Sequence, residues 1–356
     1  MMNENQIFPK AYHYDEEPCH RMIVKQMKQK LAYNPTKDYV TWKREIREKF
    51  MELSGMNLIE ANGVGDPKLD IEHTLEKDGY TEIRFTFQSE IGYCVPCYLL
   101  IPDTGKASYP ITIVLQGHST GFHNSVGIAR YEQDLAYRPR GQFGIQAVQH
   151  GYAALCIEQR GMGERRPRAL ESSSYRSCNY TAMQAFQLGR TLLAERAWDV
   201  HKAIDLLVEN FEKIDTEKVL ITGNSGGGTA SFYSACYDER IKLCAPSCTF
   251  CPYGPSILDM AHCPCNYIPG CYQWFDMQDL ACLIAPRNLS VIAGVKDKIF
   301  PIEGVKAGYA TIEKIYAAAG APDACSLTVT PREHWWCEDI VWSEIDRVTG
   351  DLGWKN

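Results

Sequence analysis

One stretch constrains the chain more than any other. Val219-Leu220-Ile221-Thr222-Gly223-Asn224-Ser225-Gly226-Gly227-Gly228 is a β-branched apolar run followed by G-x-S-x-G, and small residues then open a helix at Thr229-Ala230-Ser231-Phe232. A serine on so tight a strand-to-helix turn sits in strained backbone, and its neighbours must be glycine because strand and helix approach too closely for a side chain. The turn lifts the hydroxyl out of a sheet and sets the free N–H groups of the following helix beside it. A phosphate-binding loop is the weaker alternative. The stretch has no G-K-[ST], and no second Gly-rich turn stands near the N-terminus.

A serine hydroxyl attacks only when a base takes its proton and an acid orients that base. Strand ends supply both in chain order. Asn288–Gly294 reads as a buried parallel strand running into Val295-Lys296-Asp297, so Asp297 stands at a carboxyl end, where open α/β sheets keep their sites. The next apolar strand, Ser326–Thr330, leads to His334, the only histidine after Asp297. Ser225, Asp297 and His334 are therefore the candidate triad. Asp276 and Asp279 precede their strand, and Asp323 lies at the wrong end of the sheet, so these rival acids are weaker candidates.

An earlier strand, Pro110–Leu115, enters Gln116-Gly117-His118-Ser119. The backbone N–H groups of His118 and Gly226 are the candidate oxyanion hole, with no role for the His118 side chain. Arg160 follows another strand end and is a candidate pocket residue, although an internal salt bridge to Glu158 or Glu164 accounts for it better. Tyr272, Trp274, Trp335 and Trp336 are candidate pocket walls, because aromatic faces suit sugar rings or aryl groups. Simple packing explains them equally well.

Composition excludes several classes. A net charge of −7 argues against nucleic acid as a general partner. No apolar run approaches the roughly 18–20 residues that span a bilayer. Met1–Lys10 lacks the basic and apolar regions of a signal peptide, so a cytoplasmic location is expected. The 15 cysteines are many and odd in number, in a chain too long and too apolar to be a small disulfide scaffold, and a reducing compartment fits them. Cys94 and Cys97 fall on opposite faces of an alternating strand and cannot share a ligand. Cys248, Cys251, His262, Cys263, Cys265 and Cys271 have spacings seen in metal sites. Free thiols packed in a lid are the favoured reading, so neither metal nor cofactor is expected.

Residues 1–55 read as a helical N-terminal extension, with helices over Glu16–Ala32 and Lys37–Leu53 packed outside the sheet or against another subunit. Residues 56–356 read as one catalytic domain. It opens with three strands between Leu69 and Ile101, the first two alternating as antiparallel strands do, with a hairpin at Lys77-Asp78-Gly79. Further strands are expected at 152–157 and 241–246, a helix at 180–210 broken near Gly189, a lid-like insertion at about 247–280, and a last helix at about 338–351. A homo-oligomer is compatible with the polar N-terminal helices, as are solvated helices.

Together, Leu115-Gln116-Gly117-His118, Glu158-Gln159-Arg160-Gly161-Met162-Gly163, the serine elbow and the Asp297/His334 pair resemble the acetyl xylan esterase and dienelactone hydrolase branch of the α/β-hydrolases. The segment His262-Cys263-Pro264-Cys265-Asn266-Tyr267-Ile268-Pro269-Gly270 is similar to one in bacterial esterases of that branch, which would explain its cysteines without metal. The resemblance covers about residues 69–350. It implies an α/β-hydrolase fold, with a mostly parallel sheet flanked by helices and antiparallel strands at its start. It also implies deacetylation of carbohydrate esters, so the expected partner is a small-molecule or oligosaccharide ester. The family's His-Gly oxyanion motif stands here as Gln116-Gly117-His118. Serine in place of the dienelactone hydrolases' cysteine favours esterase chemistry. A feruloyl or aryl esterase, a serine peptidase, and a non-catalytic binding protein on the same fold are the alternatives.

Overall fold

A nine-stranded sheet organises the chain, in the order β1-β2-β3-β5-β4-β6-β7-β8-β9. The computed structural model describes residues 16–63, 65–168 and 175–354; the N-terminal decapeptide considered above lies outside them. β1 (Asp70–Lys77), β2 (Tyr80–Glu90) and β3 (Tyr93–Pro102) form an antiparallel entry, and β3 also pairs antiparallel with β5 (Ala153–Ile157). β4 (Tyr109–Leu115), β6 (Ile214–Asn224), β7 (Ile241–Ser247), β8 (Asn288–Gly294) and β9 (Cys325–Thr330) continue in parallel from β5. The Asp78-Gly79 turn joins β1 to β2 through the Lys77–Tyr80 pair, and Gly79 supplies the positive φ of +82° that such a turn requires.

Pattern explains position. β4 and β5 are buried along their whole length, as strands covered by helices on both faces must be. β1 is almost wholly exposed at the sheet edge. The helical stretch expected at 180–210 is two helices, α5 (Tyr175–Gln187) and α6 (Leu192–Asn210), parted at Gly189 with φ +71°. Thr191 caps α6 by accepting from the Ala194 N–H at 3.2 Å.

The N-terminal helices differ from expectation. α1 (Glu17–Gln26) stops short of Ala32 because the following backbone is used elsewhere. Lys30 N–H donates to the Gln273 carbonyl at 3.1 Å and Leu31 N–H to the Trp274 carbonyl at 2.6 Å. α2 (Tyr39–Ser54) buries Trp42, Ile46 and Phe50 in the main core, which also holds residues of β2, β3, β4 and β6. The Trp42 indole N–H donates to the Leu31 carbonyl at 2.8 Å, fastening α2 to the segment that follows α1. No helix among the described residues is long and apolar enough to cross a membrane.

Trp42→Ala should cost about 3–5 kcal/mol, since it removes a buried aromatic and leaves the Leu31 carbonyl without its donor. The thermal midpoint should fall by roughly 5–15 °C. Val40→Ala, on the same helix but 73% exposed, should change stability by less than about 0.5 kcal/mol. Equal effects from the two would show that the helix is not part of the core.

Candidate active site

The serine elbow takes the strained form its sequence implies. Ser225 has φ +56° and ψ −123° between the end of β6 and α7 (Gly226–Tyr237). Its N–H donates to the Ser247 carbonyl on β7 at 2.9 Å, and its carbonyl accepts from the Thr229 N–H at 2.8 Å. The glycines are sterically required. A Cβ on Gly223 or Gly227 would collide with the Leu115 carbonyl oxygen, and one on Gly228 would come within 2.8 Å of the Ser247 carbonyl. Three strands thus wedge the turn.

At the neighbouring strand ends, Asp297 and His334 meet. Asp297 Oδ2 lies 2.8 Å from His334 Nδ1. Its other oxygen accepts from the N–H groups of Ile299 at 2.8 Å and Phe300 at 3.1 Å, which fixes the carboxylate's orientation. The Phe300 ring stacks on the imidazole at 5.8 Å. Ser225 and His334 open onto one cavity of about 460 Å³. Its wall includes Gly117, His118, Asn124, Tyr137, Arg140, Phe143, Met260, His262, Asn266, Phe300 and Trp336. Burial, and secondarily the neighbouring His334, lowers His262 to about 4, so it is a neutral wall at working pH.

The loop after β4 presses on the elbow. A Cβ on Gly117 would sit 2.8 Å from the Asn224 carbonyl and 3.3 Å from the Ser225 Cβ. The His118 ring lies 3.1 Å from where a Gly226 Cβ would stand. Neither the His118 N–H nor that of Gly226, at the first position of α7, has a backbone acceptor among the described residues. The loop is held by buried polar groups. Glu158 accepts from the Gln116 side chain at 2.9 Å and from the Phe122 N–H at 3.3 Å. Asp134 accepts from His123 Nε2 at 3.0 Å, from the Arg130 and Tyr131 N–H groups at 2.8 Å each, and from the Thr120 hydroxyl. Burial lowers His123, so the imidazole is neutral and donates to the carboxylate.

Several candidate residues lie elsewhere. Trp336 lines the cavity, its indole N–H bonded to Gln146 at 3.0 Å. Trp335 is not part of the wall; it is 39% exposed, with the Arg140 guanidinium 3.4 Å above its ring centre. Tyr272 belongs to a separate cavity beside α1, and Trp274 is covered by Lys30 and Lys49, each 4.1 Å from its ring centre. Neither reaches Ser225's cavity, because their strap folds back onto the N-terminal segment. Arg160 is also absent from that wall. It is buried in an ion-pair cluster with Asp199 (2.8 Å), Glu90 (2.8 Å) and Glu195 (3.4 Å), not with Glu158 or Glu164. Two of the rival acids are engaged by backbone N–H groups. Asp276 accepts from the Tyr253 and Met277 N–H groups, and Asp279 from those of Tyr33 and Asp276. Asn124 and Arg140 are cavity residues without a sequence signal, since they lie in the long connection between β4 and β5, whereas His262, singled out above with the cysteines, also lines the cavity.

The chain belongs to the Abhydrolase family, whose model matches residues 14–233, more than half of its length. A provisionally named hydrolase of Bacillus subtilis (strain 168), YtaP, is 27% identical over 243 residues, covering 67% of this chain and 77% of that protein. Among solved structures, a provisionally assigned acetyl xylan esterase of Bacteroides fragilis NCTC 9343 superimposes with a TM-score of 0.77 at 14% identity, covering 98% of this chain and 97% of that one. A glucuronoyl esterase from Solibacter usitatus gives 0.64 at 15% identity, covering 91% and 97%. Identities this low establish the shared α/β-hydrolase fold.

Asp134 makes acid stability a test of the loop. Burial opposes its ionisation, but the hydrogen bonds from Thr120, His123, Tyr131 and Arg130 outweigh it and hold the carboxyl at about 2. A folded value below the ordinary 3.8 contributes stability above pH 4 that is lost as pH falls through 2. Asp134→Asn should therefore lower the melting temperature at pH 7 and flatten its fall between pH 4 and pH 2. An unchanged slope across that window would dismiss Asp134 as a brace.

Proposed function

We propose that this hydrolase is a serine esterase that removes small acyl groups, acetyl foremost, from carbohydrate esters. The observation that carries the reading is a strained Ser225 sharing one cavity with a histidine held by a buried carboxylate. Asp297 Oδ2 accepts a hydrogen bond from His334 Nδ1–H, which fixes the tautomer that leaves Nε2 unprotonated as the base. His334 Nε2 takes the Ser225 hydroxyl proton as Oγ attacks the ester carbonyl. The N–H groups of Gly226 and His118 receive the developing oxyanion. His334 then gives its proton to the leaving alcohol, and activates water to hydrolyse the acyl-enzyme.

The acyl and alcohol sites rest on the cavity and the relatives. A volume of about 460 Å³ suits a small acyl group with part of a sugar. The half-buried Tyr137 offers a ring face that can stack on a pyranose, and the buried Phe143 and Trp336, packed on each other at 4.5 Å, make that wall apolar. The likeness to a provisionally assigned acetyl xylan esterase and to glucuronoyl esterases supports a carbohydrate ester as the substrate.

Hydrolysis of p-nitrophenyl acetate, butyrate and octanoate by wild type and Ser225→Ala tests the chemistry. The substitution should lower kcat on the order of 10⁴–10⁶-fold, with acetate the best substrate and acetate release from acetylated xylo-oligosaccharides following. Activity that survives the substitution would overturn the assignment of the nucleophile. A preference for octanoate would overturn the acyl specificity.

Gly117→Ala tests the oxyanion loop. The added methyl pushes on Asn224 and Ser225 and moves the His118 amide by a few tenths of an ångström or more. It should cost roughly 10²-fold in kcat, with KM changed far less. Unaltered kcat would mean that the His118 amide takes no part.

A further inference from the structure

The cysteines do not group as their spacing suggests. Cys248 and Cys251 stand apart from Cys263 and Cys265, and the latter two meet Cys178 of α5 and His118 of the loop after β4. One ligand atom from each of the four lies within 4.8 Å of the other three. His118 Nε2 is 3.4 Å from Cys265 Sγ. All three cysteines are buried.

We propose that His118, Cys178, Cys263 and Cys265 form a structural zinc site beneath the oxyanion loop. Three thiolates and one imidazole are a standard tetrahedral ligand set for zinc. Zn–S bonds of about 2.3 Å give a tetrahedral S···S edge of about 3.8 Å, so the four atoms need to draw together by roughly 1 Å at most. Soft sulfur ligands in a closed, buried set select zinc over calcium or magnesium, which require oxygen.

Charge supplies an independent argument. Arg196 is 2% exposed. Among the described residues no carboxylate forms an ion pair with it; its terminal nitrogen donates to Cys178 Sγ at 3.2 Å and to the Arg160 carbonyl at 2.8 Å. A buried guanidinium without an anion is strongly disfavoured. A divalent ion with three thiolates and one neutral imidazole carries a single net negative charge, which is the counter-ion Arg196 needs. Three neutral thiols provide none. The guanidinium also hydrogen-bonds a ligand sulfur, as the outer partners of metal ligands do.

The placement gives the site a consequence. The ion ties together three segments distant in sequence: the loop bearing the His118 amide, α5, and the 263–265 turn. Cys263 also lines the cavity that holds Ser225. The His118 side chain, lying against Gly226, thus becomes the anchor of its own backbone amide.

The test reads metal, not turnover, so it stands apart from the esterase proposal. Full-length protein purified without chelator should contain about one zinc per chain by elemental mass spectrometry after exposure to zinc sulfate and desalting. Ser225→Ala and the exposed-cysteine variant Cys19→Ser/Cys94→Ser should keep it. Cys263→Ser/Cys265→Ser should retain less than about one tenth. Cobalt-loaded wild type should show the intense thiolate-to-metal absorption and visible bands of tetrahedral Co²⁺, which decides the question even where the cysteine variant fails to fold. Wild type that takes up neither metal, with these thiols reacting freely or joined as a disulfide, would overturn the site.

Discussion

The positive φ of Ser225 is the constraint on which the candidate active site depends. A non-glycine residue in that conformation costs on the order of 1–3 kcal/mol and persists only where its surroundings over-determine it. Here they do. β6 lies between β4 and β7, and both reach the elbow: the Leu115 carbonyl fills the space that side chains on Gly223 and Gly227 would need, and the Ser247 carbonyl takes the Ser225 N–H. The parallel sheet is therefore more than a scaffold that happens to carry a serine. Its central register, pairing Leu115 with Gly223 and Asn224 with Ser247, forces the backbone out of line at the next residue.

A second layer of constraint is electrostatic. The turn after β5 carries Arg160 and Arg165 inward, where both engage Asp199 on α6, and Arg160 also meets Glu90 and Glu195. Burial would raise the Asp199 carboxyl, but the two guanidinium groups outweigh it and hold it well below the ordinary range. Such a cluster contributes little net stability compared with apolar packing, and it breaks expensively. Its effect here is on shape. The Arg160 carbonyl is left facing Arg196, and Glu158, two residues earlier, is left facing the Gln116 side chain and the Phe122 N–H. The same turn thus braces the loop that faces Ser225.

What the sequence discloses follows from how local the cause is. Period-2 and continuous apolar runs are local, and the nine strands stand where those runs stand. The candidate order Ser225, Asp297, His334 can be read from the sequence because each residue follows the end of a strand, by one, three and four residues, and strand ends in a parallel sheet converge. Side-chain partners across the fold are not legible in this way. Arg160 has nearer acids in sequence than Asp199, yet α6 brings Asp199 to it. Tyr272 and Trp274 look like pocket walls because aromatic faces suit sugar rings, but the carbonyls of Gln273 and Trp274 accept from the N–H groups of Lys30 and Leu31, and the segment turns away. The Cys178–Cys263–Cys265–His118 grouping is hidden for the same reason. Spacing shows which cysteines are close in sequence, and here one ligand comes from a helix and another from a strand-end loop.

The two halves of the proposed oxyanion hole are held by different physics. Gly226 is fixed by the sheet register and by the first turn of its helix, so its N–H moves only if the core moves. His118 sits on an irregular loop with no ladder to pin it, and its position rests on Glu158, on the Asp134 cluster, on contact with Gly226 and, as proposed, on a metal ion. A loop held by side chains is the half of such a site that can shift with little loss of global stability. Buried carboxylates and sulfur ligands are directional, unlike apolar packing, so they suit a loop whose amide must be aimed within a few tenths of an ångström. That requirement accounts for the concentration of buried polar groups between Gln116 and Asp134, in a region where an apolar core would have stabilised the fold as well but would not have aimed the amide.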